Sequence, residues 1–159
     1  MTEDGRELLR HTLATLAYRG GKALRGVPDD VARLKVAEGS RSPLEILAHV
    51  NDLLDWALSL CRGEHAWQDS APTDWTGESA RFHAALAALD AYVAGAEPLG
   101  FPAARIFQGP IADALAHVGQ INYLRRLGGA PVRGENYFKA EVVGGRVGPE
   151  QAAPVREFD

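Results

Sequence analysis

The sequence predicts an all-α fold in which four long helices form a bundle with long crossover loops and a C-terminal tail. Four segments repeat apolar residues at helical spacing, and glycine or proline bounds most of them. Valines are few and alternate poorly with polar residues, so no strand pattern competes with the helices. The 159 residues suit one domain, residues 1–159, with residues 129–159 as a tail packed on the bundle.

The first helix is predicted over residues 6–23. Its apolar stripe consists of Leu9, Leu13, Leu16 and Ala17. Gly20 and Gly21 are expected to fray its C-terminal end, because glycine is a poor helix former. Val27 and Pro28 then end the helix.

The second helix has the clearest start. Ser42 is placed at the N-cap, Pro43 at N1 and Glu45 at N3, which together form a capping box. The helix is predicted to end near Arg62. The predicted buried face consists of Ile46, Val50, Leu53, Leu54, Ala57 and Leu60. The predicted solvent face consists of Glu45, Asp52, Asp55, Ser59 and Arg62. His49 lies at the edge of the apolar face.

A loop of roughly fourteen residues, long for a helical hairpin, separates the second helix from the third. The third is predicted over residues 77–94, and its seam consists of Phe82, Leu86, Leu89 and Val93. The fourth helix is predicted to begin at Gly109 and Pro110 and to end at Gly128 and Gly129.

The tail, residues 129–159, is predicted to contain a short helix over residues 135–142. Tyr137 and Phe138 are expected to anchor that helix to the bundle. A turn is predicted at Gly144 and Gly145, and the chain ends in a polar stretch.

Composition excludes several functional classes. The net charge of -4, without a basic run interleaved with aromatics, predicts no nucleic-acid partner. The acidic N-terminus and the lack of about 18 consecutive apolar residues predict neither a signal peptide nor a membrane span, and hence a cytoplasmic protein. The single cysteine, Cys61, excludes an internal disulfide and is expected to be buried. The excess of arginine over lysine and the abundant alanine are typical of GC-rich bacterial genomes.

A polar stripe on the fourth helix carries the functional hypothesis. Asp113, His117 and Gln120 fall within about 60° of one another on a helix. If the second and fourth helices face one another, His49 completes an open site for a divalent metal ion with Asp113 and His117. Gln120, one turn on, could support a ligand or hydrogen-bond a bound water.

The same residues also have a structural interpretation. His117 could be a hydrogen-bonded core histidine, and Asp113 a first-turn carboxylate favoured by the helix dipole. Arg125 could cap the end of its helix, or it could hold an anionic substrate group at the mouth of the bundle. His83 is a weaker candidate for a fourth ligand.

Two helical motifs resemble a known family. Ser42-Pro-Leu-Glu-Ile-Leu-Ala-His49 resembles the second-helix motif of the DinB-like superfamily. Ala116-His-Val-Gly-Gln-Ile-Asn-Tyr-Leu-Arg-Arg126 resembles the fourth helix of the same superfamily. Residues 134–141 and 145–151 are similar to the tail of one branch. With helix order and loop lengths, the resemblance extends over nearly the whole chain.

The resemblance implies an up-down-down-up bundle and a divalent metal ion. In the family, one histidine of the second helix and a histidine pair on the fourth bind the metal. His49 and His117 match two of these positions, whereas Asp113 stands where the family has its other histidine. Zn or Ni is expected. Mn or Fe are further candidates, because the carboxylate of Asp113 prefers harder ions than imidazole does.

The family includes bacillithiol-dependent S-transferases and a mycothiol-dependent maleylpyruvate isomerase. The resemblance therefore implies a small-molecule substrate and a low-molecular-weight thiol, with the metal activating the thiolate. One alternative is metal-dependent hydrolysis at the same site. Another, motivated by Asp113, is a non-catalytic, stress-related binding or dimer module whose site has decayed. Since family members often dimerise, a homodimer is also expected.

Overall fold

The computed structural model describes residues 5–158. Residues 1–4, which begin the acidic N-terminal segment, lie outside this range, as does residue 159. Between residues 5 and 158 the regular structure is helical, apart from one isolated antiparallel bridge between Glu135 and Glu157. The prediction of an all-α fold is confirmed. None of the helices described is both long and apolar enough to cross a membrane.

Six α-helices occur in the described chain. They are α1 (Arg6–Leu24), α2 (Asp29–Ala32), α3 (Pro43–Cys61), α4 (Trp75–Ala94), α5 (Ala103–Ile106) and α6 (Ala112–Leu127). A π-helical turn, Phe107–Ile111, joins α5 to α6, and a 3-10 turn, Tyr137–Lys139, lies in the tail. The four long helices, α1, α3, α4 and α6, correspond to the four predicted helices.

Helix α1 does not fray at its two glycines, contrary to the prediction. It continues through Gly20 and Gly21 to Leu24, and both glycines are buried. The Phe82 ring of α4 packs directly on Gly20, where an added Cβ atom would lie 2.5 Å from Phe82 Cζ. The close approach of α4 therefore requires glycine here, and the packing it permits offsets the low helix propensity.

Helix α3 begins where predicted, with Ser42 as its N-cap, although the Glu45 carboxylate pairs with Lys35 rather than with the Ser42 N–H of a capping box. The Ser42 hydroxyl oxygen accepts a hydrogen bond from the Glu45 N–H at 3.2 Å, and Pro43 is the first helical residue. Its predicted solvent face is wrong at Asp52 and Ser59, which are only 2% and 8% exposed. The reason is that α3 packs against both α4 and α6, so more of its circumference is covered than the apolar stripe indicates.

Helix α4 begins at Trp75, two residues earlier than predicted. Asp74 caps it, since its carboxylate accepts a hydrogen bond from the Gly77 N–H at 2.6 Å. The predicted seam of α4 is confirmed, because none of its members is more than 1% exposed: Phe82, Leu86, Leu89 and Val93.

The fourth helix does not begin at Gly109 and Pro110, as predicted. The chain is already helical from Ala103, and Pro110 lies inside the π-helical turn. Proline has no N–H and crowds the preceding turn, and a wider π turn accommodates it. Asp113 therefore lies within a continuous helical run. This removes the basis for treating Asp113 as a carboxylate at a free helix N-terminus.

Two arginine side chains connect the ends of different helices. Arg6, at the start of α1, donates a hydrogen bond to the carbonyl of Val93 near the end of α4, at 2.8 Å. Arg125, near the end of α6, donates to the carbonyl of Ala23 near the end of α1, also at 2.8 Å. Helix α1 thus packs against α4 and α6, as α3 does.

The tail is attached to α1 through a buried ionic cluster. The Glu135 carboxylate accepts hydrogen bonds from the Tyr18 hydroxyl at 2.5 Å and from the Lys22 ammonium at 2.7 Å. Lys22 also pairs with Glu157 at 2.9 Å. Since Lys22 and Glu135 are both buried, removing either partner would leave an uncompensated charge in the interior.

The predicted tail helix over residues 135–142 is wrong. Only the 3-10 turn forms, and Phe138, which was expected to anchor the segment, is 98% exposed. Tyr137 does contact α1, because the Arg19 guanidinium lies over its ring at 4.1 Å. The contacts of Glu135 and Tyr137 thus hold this segment without a helix. The turn at Gly144 and Gly145 is present.

The close contact at Gly20 can be tested by substitution. We expect Gly20→Ala to lower the free energy of unfolding by about 1–3 kcal/mol, because the new methyl group displaces the Phe82 ring. Gly119→Ala is the control, since a Cβ atom at Gly119 meets nothing within 4 Å. The control should gain about 0.5–1 kcal/mol from better helix propensity. Urea unfolding followed by circular dichroism measures both, and equal effects would contradict the packing argument.

Candidate metal centre

Three predicted ligands converge between α3 and α6. His49 comes from α3, and Asp113 and His117 lie one turn apart on α6. One nitrogen or oxygen of each lies within 4.8 Å of the others. His117 Nε2 is 3.4 Å from Asp113 Oδ1, and His49 Nε2 is 3.8 Å from Asp113 Oδ2. Two ligand atoms on one tetrahedral zinc ion lie about 3.4 Å apart, so this group is compact enough to hold a metal ion.

Gln120 fixes the orientation of the His117 ring. Its side-chain carbonyl oxygen lies 2.8 Å from His117 Nδ1. A carbonyl oxygen can only accept a hydrogen bond, so Nδ1 carries a proton, and in the neutral ring Nε2, on the side of Asp113, is the nitrogen that can bind a metal ion. This is the arrangement by which an outer partner makes a histidine a good metal ligand. All three residues of the polar stripe of α6, Asp113, His117 and Gln120, therefore lie at the candidate metal centre.

His49 has the environment of a neutral imidazole. Burial lowers its pKa, and the positive charge of Arg41 and the neighbouring His117 lower it further, whereas the carboxylate of Asp113 acts in the opposite direction. His49 Nδ1 is buried and has no hydrogen-bond partner within residues 5–158. Buried ring nitrogens are normally partnered. A neutral imidazole whose Nε2 faces the Asp113 carboxylate, with a second imidazole beside it, fits a divalent cation.

Two tryptophan side chains lie beside the cluster. The Trp67 ring meets the His49 ring edge to face, with centroids 5.6 Å apart, and Trp56 of α3 supports Trp67 at 5.8 Å. Trp67 belongs to the long loop between α3 and α4, which folds back onto α3. Sequence reasoning did not include it in the site, since nothing local indicates which helix a loop tryptophan contacts. Asp113, with half of its side chain exposed, leaves the cluster open to solvent.

Asp52 ties the same loop to α3 beside His49. Its carboxylate accepts hydrogen bonds from Arg81 of α4 at 2.6 Å and from the Ser70 N–H at 2.9 Å. Burial alone would raise the pKa of Asp52, but these hydrogen bonds outweigh it and lower the pKa. Asp52 therefore stays ionised at neutral pH. It holds α3, α4 and the loop in a fixed relation one turn from His49.

Two cavities flank the metal centre. One of about 290 Å³ borders His49, and one of about 600 Å³ borders His117 and Gln120. Arg41, the residue before the N-cap of α3, lines both. Arg41 is a second residue that sequence reasoning missed, because its position before a helix cap gave no chemical signal.

Arg125 is used structurally. It is 6% exposed, and its guanidinium donates hydrogen bonds to the carbonyl oxygens of Ala23, Arg25 and Ala130 at 2.7–2.9 Å. Arg125 thus caps the end of α1, and it also bonds the chain just after its own helix, α6. The alternative in which Arg125 holds an anionic substrate group is not supported, since these carbonyls already engage the guanidinium.

His83 and Cys61 lie outside the cluster. The Nδ1 atom of His83 is 3.4 Å from the carbonyl oxygen of Val147 in the tail, and its ring packs against Phe82. His83 is therefore not a fourth ligand in this arrangement. Cys61 is buried, as predicted, and burial raises its pKa to about 11, so the thiol remains protonated and a poor nucleophile.

Comparisons with protein-family models, with curated proteins and with solved structures found no match to this chain. The resemblance to the DinB-like superfamily therefore stays a hypothesis.

The role of Gln120 can be tested through metal affinity. We expect Gln120→Ala to weaken Zn²⁺ binding about 10- to 100-fold, because the His117 ring loses the hydrogen bond that orients it. Gln151→Ala is the matched control, since Gln151 donates hydrogen bonds to two tail carbonyls, those of Arg146 and Gly148. Competition with a chromophoric chelator measures the affinities. An unchanged affinity in Gln120→Ala would show that the hydrogen bond does not support a ligand.

Proposed function

We propose that the four long helices form an up-down-down-up bundle around one divalent metal ion. The contacts between helix ends support this topology. The start of α1 meets the end of α4, and the ends of α1 and α6 meet. The Gly100 N–H, in the loop after α4, donates to the carbonyl of Cys61 at the end of α3, at 2.8 Å, which favours parallel α3 and α4. The DinB-like superfamily, which the sequence resembles, has this topology.

The metal ion is proposed to bind His49, Asp113 and His117. The observation that carries the proposal is the convergence of these three side chains from two helices, with donor atoms within 4.8 Å. Two imidazoles suit Zn²⁺ or Ni²⁺, and the carboxylate extends the range to Mn²⁺ or Fe²⁺. The Asp113 charge offsets part of the charge of the ion. Three protein ligands leave a coordination position for another molecule.

We infer that the reaction is S-transfer from a low-molecular-weight thiol to an electrophilic small molecule. A divalent ion at the site supplies a lowered thiol pKa, so that thiolate is available at neutral pH. The thiolate sulfur forms a bond to an electrophilic carbon of the second molecule. The bond from that carbon to its leaving group breaks, the leaving group takes the electron pair, and the thiol proton passes to water. The Trp67 ring lies against one side of His49.

Metal-dependent hydrolysis is a second candidate. Half of the Asp113 side chain is exposed, so water reaches the cluster and could serve as the nucleophile. The two reactions require the same three ligands and differ only in the nucleophile.

Metal content tests the site itself. After supplementation with Zn²⁺, untagged protein purified without chelators should retain about one equivalent, whereas His49→Ala and His117→Ala should retain less than about a tenth. His83→Ala is the matched control, because His83 lies outside the cluster, and it should bind like the unaltered protein. Elemental analysis gives the stoichiometry. Metal content below a tenth of an equivalent in the unaltered protein would overturn the proposal.

Asp113 distinguishes a working site from a decayed one. We expect Asp113→Ala to weaken Zn²⁺ binding at least about tenfold, and Asp113→His to retain binding, because imidazole can replace the carboxylate. Calorimetric titration compares the two variants. If Asp113→Ala binds as well as the unaltered protein, Asp113 is not a ligand.

The nucleophile can be identified with defined thiols. Zn²⁺-loaded protein is incubated with bacillithiol or mycothiol and an activated aryl chloride. S-transfer predicts loss of free thiol and release of chloride in equal amounts, abolished in His49→Ala. Turnover of an ester without any thiol would instead identify the protein as a hydrolase.

A further inference from the structure

Arg41 is an arginine without a protein partner beside the metal centre. Its side chain is exposed, and no hydrogen bond or ion pair engages it within residues 5–158. Other arginines nearby are used structurally: Arg81 pairs with Asp52, and Arg125 bonds carbonyl oxygens. A guanidinium that borders both cavities at the site, with no acceptor from the protein, is free to bind an anion from solution.

The larger cavity offers an apolar wall next to this cation. It has a volume of about 600 Å³ and lies between the segment before α3 and one face of α6. Its apolar lining comes from Val36, Ile46, Ala116, Tyr123 and Leu124. His117 and Gln120 border it as well, and Arg41 is the one Lys, Arg, Asp or Glu among its described lining residues. The volume is within the range of small-molecule sites, which combine apolar walls with a few polar groups.

The smaller cavity disfavours an anion. Three acidic side chains border it, those of Glu45, Asp52 and Asp69. Lys35 pairs with Glu45 at 2.9 Å and Arg81 pairs with Asp52 at 2.6 Å, which partly offsets two of these charges, whereas Asp69 has no ion-pair partner within residues 5–158. An anion drawn to Arg41 is therefore better placed in the larger cavity, away from the carboxylates.

We propose that the larger cavity binds a small apolar carboxylate, with its carboxylate group on Arg41 and its apolar body along α6. The fork of the guanidinium matches a carboxylate with two parallel hydrogen bonds. The body of such a molecule would lie against Tyr123 and Leu124, and its other end would reach His117 at the metal centre. The inference deepens the proposed function, on which it rests, by assigning this molecule as the electrophilic substrate. Its binding, however, can be measured without turnover.

Phenylacetate and phenylacetamide form a matched pair of probes, because they have nearly the same shape and differ in charge. They are titrated into ¹⁵N-labelled protein, with and without Zn²⁺, and amide shifts are recorded by NMR. Phenylacetate should give saturable shifts at Gly119 and Tyr123, and phenylacetamide should bind at least about tenfold more weakly. Arg41→Gln should weaken phenylacetate binding about tenfold or more and leave phenylacetamide binding unchanged. Arg62→Gln, at the opposite end of α3, is the control and should bind both probes like the unaltered protein.

Equal affinities for the two probes, shifts confined to other residues, or unchanged phenylacetate binding in Arg41→Gln would each overturn the inference. Metal content is determined on the same samples, so the two proposals can fail separately. Phenylacetate binding that requires Arg41, in protein that does not retain Zn²⁺, would support the carboxylate site and contradict the metal centre. Zn²⁺ retention without stronger binding of phenylacetate than of phenylacetamide would support the metal centre and contradict the carboxylate site.

Discussion

Helix α3 packs against α4 on one side and α6 on another, and the candidate site depends on both contacts. Contact with α6 brings the His49 and His117 rings to a centroid distance of 4.7 Å. Contact with α4 places Asp52 against Arg81 and fixes the rotation of α3 about its axis. Since His49 and Asp52 lie about one turn apart, the rotation that buries Asp52 also directs His49 towards α6.

Buried ionic contacts hold the parts of the molecule that periodicity leaves undetermined. Asp52 joins α3, α4 and the long loop, and Glu135 joins the tail to α1 through Lys22. Such contacts add little net stability, because desolvation of the charges opposes their attraction, but a misplaced partner is costly. They therefore specify one arrangement of loop and tail. In this way Trp67 comes to lie beside His49, and residues after α6 come to cover part of α1.

The elements predicted correctly are those governed by local rules. The Ser42 cap depends on a hydrogen bond to a residue three positions away, and the Phe82 seam on the spacing of apolar residues along one helix. Predictions failed where a distant segment intervened. Gly20 stays helical because Phe82 packs on it, and Asp52, predicted on the solvent face, is buried because it meets Arg81 of α4. Pro110 predicted the start of a helix. In the structure the chain is already helical from Ala103, and Pro110 lies inside the π turn that joins α5 to α6.

The sequence by itself determined the all-α class, the number and approximate positions of the four long helices, and the alignment of Asp113, His117 and Gln120 on one face of α6. These follow from spacing along a single helix, which the chain specifies locally. Only the tertiary structure decided that His49 meets this face, that Trp67 stands beside it, and that Arg41 lies at the edge of both cavities. Periodicity determines which face of a helix is buried, but which distant segment covers that face depends on how all the helices pack together.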